Sequence, residues 1–431
     1  MGQERIFAPK GRLAMPESRD ITPYVISLEN AVRAVTAAID LVGIDEIHHG
    51  KRVAVMALAM AEAMHWPQDR KVRLFRAALL HDCGVSRSEE HRELVTQMEW
   101  TGAQDHCRRG HDYLHDVPYL SELAPILLWH HTRWCAMPAD VPADVTDAAN
   151  LIYLADRMDA LRAQLDVVRH PDRCALVLRT VADNSGSIFK PDFVYAAQEV
   201  GGSEAFWFSL EDDVIEFVLD CVPLPHDERS LSWPEMRQIG RLFARIIDAK
   251  SPFTAEHSAR VAAVSKLLAE LMGLPGQTCR DIELAGLLHD LGKLRIPDSI
   301  LEKHDHLDVG ERRVMTRHAF ETYMLLRRLF GDHPIANWAA WHHETLAGTG
   351  YPFHRGGKDL PTEARIIAVA DVFQALMQNR PYRPGMTADQ ALEIIDNMVA
   401  KGLLDREVAS YVKCNAERCA MAATGRMEGT E

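Results

Sequence analysis

The chain lacks the features that would place it among secreted, membrane or nucleic-acid-binding proteins. Its eight cysteines contain no C-x-x-C pair and no framework spacing, so they read as reduced thiols rather than a disulfide scaffold. No apolar run has signal-peptide form near the start, and none is long enough to span a bilayer. Together these absences predict a cytoplasmic protein with no membrane partner. A net charge of −14 removes the extended basic surface that DNA binding needs. It leaves room for a small anionic substrate, because a few local cations or metals can dominate a pocket. Alternating β-type runs are scarce as well. Val214–Val222 is the best strand candidate, and a buried helix fits it equally.

What remains is a helical sequence of 431 residues with 47% hydrophobic content and 21 histidines, many in short H-H, H-D and H-x-x-R groups. Apolar positions recur with helical period in Val53–Met64, Val261–Met272 and Arg365–Met377. The prediction is an all-α protein.

Comparison of the chain with itself shows a tandem repeat. HHGKRV (48–53) pairs with EHSARV (256–261), HDCGV (81–85) with HDLGK (289–293), WHHTRW (129–134) with WHHETL (341–346), and YLADRMDAL (153–161) with AVADVFQAL (368–376). The spacings agree: 32 residues separate His49 from His81 and His257 from His289, and 24 separate His106 from His130 and His318 from His342. The expected layout is an N-terminal tail (1–24), a first helical domain (25–200), a linker (201–231), a second helical domain (232–415) and a C-terminal tail (416–431). A helix is expected to start at the S-W-P-E run, 232–235.

In the second copy, His257, His289, Asp290, His318, His342, His343 and Asp371 each sit beside strongly apolar residues. Buried ionisable groups must be paired or bound to metal. For any one of these residues a hydrogen-bonded core role is the better reading; seven of them, repeated in order, point to a metal site. The donors are nitrogen and oxygen without sulfur, which suits Fe, Mn, Zn, Co or Ni. Adjacent ligands such as His289-Asp290 and His342-His343 suit two neighbouring metals with a bridging carboxylate, the clamp used for in-line attack on phosphorus.

HSARV (257–261), HDLGK (289–293) and HHETLAGTGYP (342–352), with R-P-Y-R at 380–383, resemble the HD-GYP subgroup of the HD-domain metal phosphohydrolases. The resemblance covers nearly all of the second copy. It implies a helical bundle with two divalent metals, iron or manganese, held by the seven residues above. It implies hydrolysis of a cyclic dinucleotide, cyclic di-GMP or 3′,3′-cyclic GMP-AMP, to a linear dinucleotide or on to mononucleotides. Lys293 would act with His289 and Asp290 by holding a phosphate oxygen. Arg380 and Arg383 would hold the other phosphate or a guanine edge, and Gly348, Gly350, Tyr351 and Pro352 would shape the loop at the pocket. Three departures stand out: Phe253 where a three-metal member carries a carboxylate, Gln374 where an acid is common, and Ala319 where proline is common.

The first copy keeps His49, His81, Asp82, His106, His130, His131 and Asp156, a second candidate metal site, with Asp45 nearby. It replaces the lysine with Val85, the GYP loop with residues 132–140, and has nothing like R-P-Y-R. It reads as a degenerate HD domain, metal-binding and regulatory or supportive. Two other readings of the whole remain open at this stage: a module that binds a cyclic dinucleotide or senses oxygen or redox state, and a general nucleotide phosphohydrolase. A homodimer is also left open.

Overall fold

The computed structural model describes residues 23–42, 48–225, 228–250, 256–303, 305–379 and 384–425. The chain is helical throughout, with one two-stranded antiparallel ribbon.

The repeat in sequence is a repeat in structure. In each copy a helix begins at the first ligand histidine, His49–Ala63 and His257–Leu271. A proline then starts the next helix, Pro67 before Gln68–Leu80 and Pro275 before Gly276–Leu288, with φ already near its helical value. Both helices stop where the H-D pair begins, at His81 and His289. The third ligand histidine lies within Ala103–Leu114 and within Val309–Phe330. The H-H pair follows the short helices Ala124–Trp129 and Ile335–Ala340. The last aspartate lies on Ala143–Gln164 and on Thr362–Met377. Side chains that are far apart in sequence therefore meet because five helix ends and faces converge on one point in each copy.

His318 sits well inside its helix, which starts much earlier at a capping box: Asp308 accepts from the Glu311 amide, and the Glu311 carboxylate accepts from the Asp308 amide. The S-W-P-E start is observed as well, in the helix Trp233–Lys250, where the Ser232 amide and hydroxyl both donate to Glu235.

The described parts of the expected linker and C-terminal tail carry regular elements. Residues 201–231 carry the helices Glu204–Phe208 and Ile215–Asp220, so the Val214–Val222 candidate is helical. They end in a strand, Glu228–Leu231, which pairs with Tyr24–Ser27. Tyr24 is therefore part of the fold: it is 7% exposed and its hydroxyl donates to Asp281 of the second copy at 2.5 Å. The supposed C-terminal tail contains the helix Ala416–Thr424. Cys419, Ala420 and Ala423 form a narrow small-residue face, buried against His257–Leu271 and Thr362–Met377. Short side chains gave that segment a tail-like composition, yet they allow close helix packing.

One backbone approach recurs in both copies. A Cβ on Gly292 would lie 2.0 Å from the His318 carbonyl oxygen, and one on Gly84 would lie 2.0 Å from that of His106. The glycine after each H-D pair lets the turn press against the helix that supplies the next ligand. Gly84→Ala and Gly292→Ala should each cost about 1–3 kcal/mol in denaturant unfolding. Gly276→Ala, where an added Cβ meets nothing, should change stability by less than about 1 kcal/mol.

Candidate metal centre

The second copy brings all seven expected ligands together. Asp290 is at the middle and 1% exposed. Its Oδ2 lies 3.6 Å from His257 Nε2 and 3.3 Å from His289 Nε2, while its Oδ1 lies 3.6 Å from His318 Nε2 and 3.8 Å from His342 Nε2. Asp371 Oδ1 closes the first side, 3.3 Å from His257 Nε2 and 3.7 Å from His289 Nε2. His343 joins His318 and His342 on the other side. One carboxylate thus faces two donor groups with its two oxygens, which is the arrangement of a bridging ligand.

The imidazoles are turned by their outer nitrogens. His289, His318 and His342 place Nδ1 against the carbonyls of Gly286, Met315 and Ala339, at 2.8, 2.7 and 2.6 Å. His257 places Nδ1 2.5 Å from Gln374 Oε1. All four present Nε2 inward, the tautomer and orientation that metal ligation uses. His289 Nε2 and Asp290 Oδ1 are buried without a hydrogen-bond partner. Buried polar atoms of that kind are otherwise costly, and a pair of divalent cations would satisfy both. The residues fit the metals that the motifs imply.

The titration pattern splits by side. Burial opposes charge on His257 and His289, but Asp290 and Asp371 outweigh it and raise both, His289 to about 10. Burial keeps His318 neutral down to about 3 and His343 down to about 4. Burial also opposes charge on Asp290, yet His289 and Lys293 hold it well below the usual carboxylate range.

Lys293 lies on the rim, its Nζ 2.5 Å from Asp290 Oδ2. The loop after the H-H pair is pinned by Glu344, which is 3% exposed and accepts from the amides of Phe353 and Arg355 at 2.7 and 2.9 Å. This clamp sets Tyr351 with its ring centroid 4.8 Å from that of His343. Gly350 packs against the His343 and Glu344 backbone, where a Cβ would come within 2.4 Å. Pro352 follows through a cis peptide. Arg380, Arg383, Phe253 and Asp45 lie outside the described residues.

The first copy repeats the arrangement. Asp82 Oδ2 lies 3.7 Å from His49 Nε2 and 3.3 Å from His81 Nε2, and its Oδ1 lies 3.4 Å from His106 Nε2. His130 and His131 complete the second side, and Asp156 Oδ1 is 3.2 Å from His49 Nε2. The outer partner of His49 is Asp159, at 2.7 Å, where the second copy has Gln374. Val85 is buried at the position of Lys293.

Sequence reasoning gave no role to four residues that shape these sites. Glu344 was visible only as the letter after H-H, and Asp159 as a second acid one helical turn beyond Asp156. Arg157 stood only as the letter after Asp156. His91 has its ring 6.2 Å from that of His49, and it carried no motif at all.

Residues 241–408 and 47–161 each match the HD domain family. Over 400 residues, 91% of this chain, the sequence is 36% identical to "3'3'-cGAMP-specific phosphodiesterase 1" of Vibrio cholerae and covers 93% of that protein. The chain belongs to the HD-GYP family of HD-domain phosphodiesterases. A second HD-GYP relative, a cyclic di-GMP phosphodiesterase response regulator of Xanthomonas campestris, is 42% identical over 162 residues, 37% of this chain and 42% of that protein. The fold is shared along the whole length with the crystal structure of a cyclic GMP-AMP phosphodiesterase of V. cholerae, V-cGAP3. That likeness has a TM-score of 0.63 at 23% identity and covers 94% of this chain and 99% of that one.

Metal uptake by this HD-GYP site should be favoured by rising pH. A ligand imidazole must be neutral, and the metal-free site keeps a proton on His289 up to about 10. Adding a divalent ion to metal-free protein near neutral pH should therefore release protons into a weakly buffered indicator solution. His289→Ala should release about one fewer. Equal release by both proteins would contradict the charge pattern described above.

Proposed function

We propose that the second copy hydrolyses 3′,3′-cyclic GMP-AMP to the linear dinucleotide, with cyclic di-GMP as the lesser substrate. The observation that carries the reading is Asp290 set between two histidine groups, with Lys293 at its exposed edge and the Glu344-pinned loop beside it. The choice of substrate is supported by the extent of similarity: the relative matched along nearly the whole chain is named for 3'3'-cGAMP, whereas the cyclic di-GMP enzyme matches only a third of it.

The catalytic unit in this reading is residues 232–415 extended by the helix to Thr424, because Gln374 is held between His257 and the Ala423 carbonyl. His257, His289, Asp290 and Asp371 would hold one divalent ion, and Asp290, His318, His342 and His343 a second, iron or manganese by donor type. Such a pair supplies an activated water and positive charge for in-line attack at phosphorus. Lys293 neutralises a phosphate oxygen and gains charge partners as the phosphorane-like charge develops. Tyr351, tilted against His343, would offer an aromatic face to a base. Arg380 and Arg383 would hold the distal phosphate or a guanine edge. No helix among the described residues is long and apolar enough to cross a membrane, which supports a cytoplasmic setting for the activity.

The test is product analysis with metal-loaded full-length protein and each cyclic dinucleotide. Linear product should form, faster from cyclic GMP-AMP. His289→Ala/Asp290→Ala should abolish turnover, and Lys293→Ala should lower kcat by about 10²-fold. Turnover that survives the double substitution, or a preference for a mononucleotide triphosphate, would sink the proposal.

A further inference from the structure

The first copy gathers the same seven ligands, but one side chain there has no counterpart in the second. Arg157 is 3% exposed and grips both oxygens of Asp156. Its Nη2 lies 3.0 Å from Oδ1 and 2.8 Å from Oδ2, and its Nε lies 3.1 Å from Oδ2. Its Nη1 donates to the Gln97 carbonyl, which fixes the guanidinium from the far side. The second copy has Val372 at this position, and Asp371 faces the imidazoles of His257 and His289. The exchange runs the other way at the bridging aspartate. Asp290 has Lys293, whereas beside Asp82 the chain has Val85. Each copy thus carries one fixed cation on its carboxylate pair, but on opposite members of it.

That difference acts on one side of the first site only. A carboxylate with both oxygens held by a guanidinium is a poor metal ligand. A divalent ion next to it would also face a fixed positive charge in a medium that screens weakly. The His49, His81 and Asp156 side therefore loses its terminal carboxylate to the guanidinium, although His49, His81 and Asp82 still gather three donor atoms and His49 Nε2 and His81 Nε2 are buried without a hydrogen-bond partner.

The other side is intact. Donor atoms of Asp82, His106, His130 and His131 all lie within 4.8 Å of one another, a four-residue group, whereas the comparable group in the second copy is His318, His342 and His343. His106 Nε2 and His130 Nε2 are 3.1 Å apart, and Asp82 Oδ1 is buried without a hydrogen-bond partner. His130 turns Nδ1 to the Leu127 carbonyl at 2.6 Å, leaving Nε2 inward. Three imidazoles and a carboxylate are a sufficient donor set for one divalent ion.

We propose that the first copy is a one-metal site: a single divalent ion held by Asp82, His106, His130 and His131, with the Arg157 guanidinium supplying at Asp156 the charge that a second ion supplies at Asp371. The ion would tie together the three helix segments that carry or lead into these ligands, Gln68–Leu80, Ala103–Leu114 and Ala124–Trp129. A single ion there, with Val85 in place of the lysine, would lack the two-metal clamp used for phosphate chemistry.

Metal counting on full-length protein tests this. Metal-free chain is reloaded with Mn²⁺ or Zn²⁺, freed of excess ion, and its content measured by plasma emission. About three ions per chain are expected, two from the second copy and one from the first. His106→Ala should lose about one ion, and Arg157→Met should gain about one. His318→Ala reads the second copy's own share, so a failure there is told apart from a failure here. About four ions in the unaltered protein, or a count that His106→Ala leaves unchanged, overturns the assignment. A folded Arg157→Met protein with an unchanged count overturns the role of the guanidinium. If that variant does not fold, the other two counts still decide.

Discussion

Asp290 is almost fully buried, with one oxygen turned to His257 and His289 and the other to His318 and His342. A carboxylate withdrawn from water costs several kcal/mol unless cations surround it. Much of the second copy is arranged to meet that demand. Helix ends deliver His257 and His289, a long capped helix delivers His318, and backbone carbonyls one turn earlier rotate the rings so that Nε2 points inward. The glycine after the H-D pair brings the turn close enough for His318 to reach the same carboxylate. Asp82 makes the same demand in the first copy and is met by similar devices, with carbonyls of Ala78 and Leu127 turning His81 and His130 and Asp159 turning His49.

The two copies differ in how the remaining negative charge is balanced. In the second, Lys293 sits on the bridging aspartate at the rim, where an incoming phosphate can share it. In the first, Arg157 is sunk onto the terminal aspartate and tied to the Gln97 carbonyl, out of reach of any substrate. Duplication preserved the costly buried ligands in both places. The fixed cation lies on the bridging aspartate in one copy and on the terminal aspartate in the other. The loop pinned by Glu344 has likewise no equivalent beside His131.

The ligands were legible in the sequence because their chemistry is unusual for apolar surroundings and because they recur at equal spacing. The helical class was legible from periodicity. The residues that tune the site were less so. Arg157 beside Asp156 reads as an ordinary charged pair until the helix face is known. The importance of Gln374 depends on the Ala423 carbonyl, contributed by a helix whose alanines and cysteine resembled a loose tail. The segment 201–231 hid two helices of five and six residues, too short to show a period. Its strand was invisible because the partner lies some two hundred positions earlier.

That ribbon bears on how the molecule is made. Tyr24–Ser27 has no strand partner until Glu228–Leu231 has been synthesised, and the Tyr24 hydroxyl has no acceptor until Asp281 follows. The first copy can form its metal cluster while the chain is still growing, but the start of the chain stays unfinished until the second copy exists. The two copies are therefore not beads on a string. Tyr24–Ser27 is synthesised early yet is among the last segments to find its partners, and its docking marks the completion of both halves at once.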